Sequence, residues 1–383
     1  GSMTRVKSVF KRFGRRIEMA ATGEDPTPFF SMETVLMVLS VVYCGLVCLR
    51  ARLYEKGVLP SQNQPCRVGS IGTLNAGGTG KTPMTILVAR MIRDMGYQVV
   101  VLSRGYRGRM EKTGGVVSDG RTIFKGPEDA GDEPYLMARI LTGIPVVVGQ
   151  RRYEAGMMAV KRFQPDVIVL DDAFQHLRLK RDLNLVLLDS RSPFGNGHLL
   201  PRGLLREPLS ALRRAHAVVY TRSETVLTPP IHHRALRHQP IFYTIHHPII
   251  RKTDQEEGGS VADTLDISML KGKKAVAFAG LADNAQFFDS LEQAGCMLVH
   301  TFSFSDHHRY GCIDLDRIAA TVIEKSADVM VTTLKDFVKI DRVKQWPVAL
   351  TVVDVTIKLT KDEDVFLKTL SNALARHPIS TIF

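Results

Sequence analysis

Residues 69–83 read GSIGTLNAGGTGKTP, and the core of that stretch, Gly77-Gly78-Thr79-Gly80-Lys81-Thr82, constrains the fold of this 383-residue chain more than any other. A short apolar lead-in at 68–71 precedes it, and an apolar run at 84–89 that fits one helix face comes after it. Strand, glycine-rich turn and helix start, in that order, are the parts of a phosphate-binding loop. The glycines let backbone N–H groups close around a phosphate, and the helix N-terminus adds partial positive charge. Lys81 then reaches the outer phosphates of a nucleotide, and the Thr82 hydroxyl suits Mg2+. The usual pattern G-x-x-x-x-G-K-S/T has glycine where this chain has Asn75. Asparagine tolerates the left-handed backbone region, so the loop can still close. A merely flexible glycine loop is the plainer alternative, but it leaves Lys81 and Thr82 unexplained.

From residue 66 the pattern alternates strand and helix. Short β-branched apolar runs at 98–103, 145–148, 166–170, 183–188 and 217–220 suit buried parallel strands with helices on both faces. A proline- and histidine-rich interval at 229–248 holds IFYTI at 241–245, a candidate pair of linker strands. A second alternating section has strand candidates at 274–280, 296–300, 329–333 and 348–355. The expected architecture is α/β: a P-loop NTPase-type parallel-sheet lobe plus a second, smaller α/β lobe, behind an N-terminal membrane-associated helix. The expected divisions are 3–58 for the N-terminal segment, 59–228 for the P-loop domain, 229–257 for a linker and 258–383 for the C-terminal domain.

The net charge of +12 calls for an anionic partner: nucleic acid, a membrane surface or a phosphorylated substrate. The N-terminus narrows that choice. Gly1-Ser2 ahead of Met3 looks like an expression scar and is set aside. Arg5, Lys7, Lys11, Arg12, Arg15 and Arg16 then alternate with Val6, Val9, Phe10, Phe13 and Ile17 at helical spacing, a basic amphipathic helix suited to anionic lipid. Residues 34–49 carry no charge; at about 1.5 Å per residue they span roughly 24 Å, short of the ~30 Å hydrocarbon core. A signal peptide is disfavoured because the segment lacks a small-x-small cleavage pattern. A buried core helix is the other alternative to a membrane-embedded or interfacial anchor. The five cysteines show no metal-ligand spacing, and their odd number argues for a reducing compartment.

Three further segments carry chemistry. VIVLDD at 167–172 is an apolar strand ending in Asp171 and Asp172, where a carboxylate can hold Mg2+ opposite the loop threonine; capping the next element is its bland reading. Gly131-Asp132-Glu133-Pro134 is an acidic turn before a helix expected near Tyr135, and on spacing alone it reads as a cap. Ser305-Asp306-His307-His308 comes after a strand in the second lobe; adjacent histidines do not share a helix face, so a metal site there is disfavoured.

Together these segments resemble the tetraacyldisaccharide 4'-kinase family, the membrane-associated kinases of lipid A assembly. The matching stretches are the glycine loop, LSRGYRG (102–108), AGDEP (130–134), VIVLDDAFQH (167–176), FGNGHLLPRGLLREPLSALRRA (194–215), FSDHHRY (304–310) and VTTLKDFVKI (331–340). The resemblance implies ATP-dependent phosphorylation of the 4'-hydroxyl of tetraacyldisaccharide 1-phosphate, giving a 1,4'-bisphosphorylated lipid A precursor of lipopolysaccharide. It implies that Asn75, Gly77, Gly78, Thr79, Gly80, Lys81 and Thr82 cradle ATP, and that Thr82, Asp171 and Asp172 attend Mg2+. It also implies Asp132 as catalytic base paired with His307, with Glu133, Arg152 and Arg206 toward the substrate. The implied partners are lipid A disaccharide 1-phosphate and inner-membrane lipid, with no nucleic acid. The implied place is the cytoplasmic face of the bacterial inner membrane, and a monomer is favoured. With Asp132 and His307 on different lobes, cleft closure is expected to bring them together.

Other classes fit less well. A membrane-targeted partition-type ATPase needs a lysine before the two glycines, where this chain has Ala76. A GTP-binding switch needs N/T-K-x-D, and in this chain Asp336 is directly next to Lys335. A nucleic-acid binder fits the charge but lacks interleaved aromatic residues.

Overall fold

The structure, a computed structural model, describes residues 32–77, 80–223, 236, 239–252, 264–340 and 345–375. The basic stretch 5–17, and Gly78 and Thr79 of the glycine loop, lie outside the described residues. The chain opens on helix α1 (Met32–Glu55), of 24 residues. At about 1.5 Å per residue it is roughly 36 Å long, more than the charge-free segment alone and long enough to cross a bilayer. Only Ser40 is buried along it, which rules out a core helix.

The first half of the fold is β1 (Arg67–Thr73), α2 (Lys81–Asp94), β2 (Val99–Ser103), β3 (Gly115–Ser118), α3 (Pro127–Ala130), α4 (Asp132–Ile140), β4 (Val146–Val148), α5 (Arg152–Phe163), β5 (Val167–Asp171), β6 (Leu183–Asp189) and β7 (Ala217–Thr221). These strands are almost wholly buried, and their β-branched runs pack under helices on both faces, as continuous apolar strands require. In β5, Val167, Ile168, Val169 and Leu170 are each at most 1% exposed, each contributing about 1.5–3 kcal/mol of apolar burial.

The second half comprises β8 (Ile241–Arg251), β9 (Thr264–Asp266), β10 (Lys274–Ala279), α6 (Asn284–Gln293), β11 (Met297–Ser303), α7 (Cys312–Glu324), β12 (Val329–Thr333), α8 (Leu334–Phe337), β13 (Ala349–Leu359) and α9 (Glu363–Ala375). One sheet runs through both halves in the order β11-β10-β12-β13-β8-β7-β6-β1-β5-β2-β4-β3, with β9 on β8. In place of the expected pair of linker strands, a single eleven-residue strand, β8, forms. Its start pairs parallel with β7 (Val218 with Ile241, Tyr220 with Tyr243), and its remainder pairs antiparallel with β13 (Thr244 with Leu359 through Arg251 with Val352). Because β8 continues past the end of β7 and β13 runs back along it, the C-terminal ends of the strands in the two halves face each other. Ligands of open α/β sheets bind outside those ends; here two such edges confront one another.

Candidate active site

The phosphate end is built where β1 leaves the sheet. Gly80 caps α2 in the left-handed region at φ 80, which favours glycine, and a Cβ there would lie a tight 3.0 Å from His246 Nε2. Lys81 Nζ lies 3.2 Å from Asp172 Oδ2, and Arg206 Nη1 lies 3.0 Å from Asp172 Oδ1. Burial tends to raise the Asp172 pKa, but Lys81 and Arg206 outweigh it and hold the carboxyl below its usual range. Its neighbour Asp171 ends β5 fully enclosed, accepting from Thr85 Oγ1 at 3.2 Å. Burial, and then the Glu133 and Asp172 carboxylates, push Asp171 up. Adjacent carboxylates of one strand end are thus driven in opposite directions.

The second focus is Asp132. The acidic turn is the first turn of α4 itself, which starts at Asp132 rather than near Tyr135, and the cap is Gly131 without a side-chain bond. Asp132 is therefore spared capping duty. Its Oδ2 lies 2.8 Å from His307 Nδ1 and 3.7 Å from Lys339 Nζ. The expected closure is unnecessary for this pair: the confronted strand ends already bring together residues 175 apart. Both Asp172 (φ 49) and His307 (φ 60) sit in the left-handed region, conformations that tertiary contacts must hold. His308 is structural, stacked on Phe304 at 4.5 Å and bonded to Asp314 at 2.9 Å. Lys339 is nearly enclosed and donates to the His308 carbonyl at 3.3 Å.

The LSRGYRG segment buttresses this turn. A Cβ on Gly108 would come within 2.5 Å of the Asp129 carbonyl oxygen and 2.6 Å of the Gly131 nitrogen. Gly131 itself has φ 90, with its own Cβ position 2.8 Å from the Tyr106 carbonyl oxygen. Backbone touches backbone on both sides, and the direction in which α4 presents Asp132 is set there.

Asp132 lines two cavities. One, of about 310 Å³, is bounded by Lys81, Thr82, Glu133, Lys335 and the β13 residues around Thr356. The other, of about 450 Å³, is bounded by Tyr106, Arg107, His307, Arg309 and Lys339. Lys81, Thr82 and Glu133 thus line the first cavity, His307 the second and Asp132 both; Asp172 adjoins through its ion pairs with Lys81 and Arg206, with Asp171 beside it, and these last three, Asp171, Asp172 and Arg206, line neither cavity. Arg206 meets the Asp172 carboxylate. Arg152, at the start of α5, is buried, donates to the Gly149 carbonyl at 2.6 Å and lines neither cavity. Asn75 is buried and bonds the Pro193 carbonyl at 3.2 Å, while Gly77 is exposed. The sequence assigns no role to Lys339, Arg107, Arg309 or Thr85; the first three fall inside matching segments or beside them, but a single cation there carries no spacing signal.

The site fits Mg2+. Its donors are carboxylate and hydroxyl oxygens, as that ion prefers, and the buried Asp171 has two like-charged neighbours that a divalent cation would offset. Among the described residues no group of three or more His, Cys, Asp or Glu forms a metal cage, as expected where phosphates and water complete the shell.

A family model described as tetraacyldisaccharide-1-P 4'-kinase matches residues 32–375. The tetraacyldisaccharide 4'-kinase of Desulfatibacillum aliphaticivorans is 42% identical over 329 residues, 85% of this chain and 89% of that protein. That of Syntrophus aciditrophicus is 43% identical over 345 residues, 87% of this chain and 90% of the relative. The crystal structure of the "apo" form of LpxK from Aquifex aeolicus in complex with ATP superposes with a TM-score of 0.75 at 31% identity, covering 90% of this chain and 100% of that one.

Proposed function

The chain belongs to the tetraacyldisaccharide-1-phosphate 4'-kinase family, and we propose that it transfers the γ-phosphoryl group of ATP to the 4'-hydroxyl of a tetraacyldisaccharide 1-phosphate with Asp132 as base. The position of Asp132 in the wall common to both cavities, 2.8 Å from His307, carries the proposal. The donor enters from the Lys81 and Thr82 side. The acceptor enters from the side of Arg107, Arg309 and Lys339, whose charge suits a phosphorylated sugar.

The 4'-oxygen attacks the γ-phosphorus while its proton passes to Asp132, and the bridging bond to the β-phosphate breaks to release ADP. Such transfers need in-line positioning and charge neutralisation more than covalent help. Lys81 leaves Asp172 for the phosphates, Arg206 keeps Asp172 oriented, and His307 holds the Asp132 carboxylate toward the acceptor. Mg2+, held by Thr82, Asp171 and Asp172, would neutralise charge on the β- and γ-phosphates. Glu133 faces the same cavity from the next position of α4. Helix α1 would sit in the inner membrane with the body on its cytoplasmic face, presenting the site to an acceptor that stays in the bilayer. The same reading keeps 3–58 as the membrane segment, 59–228 as the nucleotide domain, 229–257 as the connection and 258–383 as the domain supplying His307.

The test is transfer of labelled γ-phosphate from ATP to lipid A disaccharide 1-phosphate in detergent micelles. Product should require Mg2+ and fall about 100-fold or more in Asp132→Ala, with ATP affinity kept. Full turnover by Asp132→Ala, or ATP binding by the wild type without lipid product, would overturn the assignment.

A further inference from the structure

Helix α1 is bonded to the machinery as well as offered to lipid. Ser40 Oγ donates to the Leu199 carbonyl at 2.8 Å, Tyr43 Oη donates to the Arg206 carbonyl at 2.9 Å, and Arg202 Nη1 lies 2.9 Å from Met37 Sδ. These contacts seat α1 on the strap 199–206. The strap in turn lies along the leading half of the phosphate-binding loop. The Arg206 N–H donates to the Leu74 carbonyl and the Ala76 N–H to the Leu204 carbonyl, both at 2.7 Å, and Asn75 pairs with Leu205 between them.

A second path starts two helical turns further on. Arg50 Nη2 donates to the Gln175 carbonyl at 3.3 Å. The Gln175 side chain donates to the Thr73 carbonyl at 2.8 Å and accepts from Arg206 Nη1 at 3.4 Å. Tyr43–Arg206–Asp172 and Arg50–Gln175–Thr73 are thus short routes from the helix to the two sides of the loop. Val42, Leu46 and Leu49, on the remainder of the helix, are exposed. One face is apolar and exposed, and the other is docked on the strap and on Gln175.

We propose that Tyr43 and Arg50 are positioning residues for the nucleotide: the docking of α1 holds the 199–206 strap, and through it the phosphate-binding loop and Asp172. Seating of α1 and binding of Mg-ATP are then coupled, and the coupling is reciprocal. The inference rests on residues 77–82 being the nucleotide site. An anchor alone would set how much acceptor the enzyme meets; a positioning helix also sets how tightly ATP is held.

The experiment uses the full chain in detergent micelles. Tyr43→Phe keeps the ring and removes only the hydroxyl. Its Kd for Mg-ATP and KM for ATP should rise about fivefold to tenfold, the size of one lost hydrogen bond, with acceptor KM and micelle partition unchanged. Arg50→Gln should shift in the same direction and Arg50→Lys should recover most of the loss. Leu46→Ala, on the lipid side, should leave the Kd for Mg-ATP unchanged. Mg-ATP should also slow hydrogen exchange across 199–206 in the wild type and less so in Tyr43→Phe. Unchanged nucleotide affinity in both Tyr43→Phe and Arg50→Gln, with a raised acceptor KM, would reduce α1 to an anchor. If Tyr43→Phe fails to fold, the Arg50 pair decides alone. A wild type that does not bind Mg-ATP would sink the nucleotide site itself, whereas wild-type binding with indifferent variants sinks only the coupling.

Discussion

Replacing Asp171 by asparagine should make the ligand-free protein more stable while abolishing turnover. Asp171 is 3% exposed, and burial, then Glu133 and Asp172, pushes its pKa up to about 7, against about 3.9 in an unfolded chain. With the folded value the higher, the folded state keeps its proton over a range where the unfolded chain has released it. Stability from this group is therefore whole below about pH 4 and is lost as pH rises to about 7. Some three units at about 1.4 kcal/mol each set an upper bound of about 4 kcal/mol at pH 8. Asparagine removes the charge and can still accept from Thr85, now 3.2 Å from the carboxylate. Its amide N–H adds a donor whose burial without a partner costs about 1–3 kcal/mol. The net gain should be about 1–3 kcal/mol at pH 8 and should turn into a net loss of about 1–3 kcal/mol toward pH 4, where the charge term is gone and the amide penalty stays. Urea unfolding in micelles with chelator present, from about pH 4.5 to 8, reads it directly. Added Mg-ATP should reverse the order by stabilising the wild type alone. A variant less stable than wild type at pH 8, or a difference that does not change with pH, would refute the account of Asp171 as a desolvated carboxylate awaiting a cation.

Gly108→Ala should cut kcat about 100-fold, because relieving the clash with the Asp129–Gly131 backbone moves Asp132 by a substantial fraction of an ångström. ATP affinity should hold, and near-normal turnover would show that the LSRGYRG segment does not aim the base. Lys339→Met keeps the stem and removes the ammonium 3.7 Å from Asp132. A fall in kcat of about tenfold at unchanged KM for ATP is expected, measured in the micelle assay; unchanged kcat would assign this lysine to packing only.

Much of the fold is legible in the sequence. The valine-rich runs ending at Ser103, Asp171 and Thr333 announce buried strands, and Gly80-Lys81-Thr82 announces the turn into α2. Two strands escape such a reading: β3 and β9 are short and carry too few apolar residues to show a period. The pattern of β8 misleads because Pro248 lies inside it, and proline argues against a central strand. In the fold Pro248 pairs with Val355 of β13, at a point where the pairing with β7 has ended at Tyr243 and the pairing with β9 begins at Ile249. The Asp132–His307 pair comes from resemblance, not from spacing: no local pattern tells two segments 175 residues apart that they touch. Arg206, expected near substrate phosphate, meets Asp172, because the strap that carries it is pinned to Leu74, a long-range bond without a sequence signature.

The long strand β8 is what makes the site possible. An open α/β sheet offers one crevice, along one edge, and donor and acceptor would share it. In-line transfer wants the attacking and leaving oxygens on opposite sides of the phosphorus. By running parallel to β7 and then antiparallel to β13, β8 turns the second sheet edge to face the first, so that α4 is met on one side by the α2 N-terminus and on the other by the segment after β11. Asp132 stands between the two, its Oδ2 already occupied by His307 and Lys339. The joint is uneven as well: β8 bonds β7 through three residue pairs and β13 through eight. The β7–β8 seam lies between the lobe that carries Lys81 and the lobe that carries His307. The base is then set by the first half and oriented by the second, and the inversion along β8 supplies opposite approaches without a separate lid.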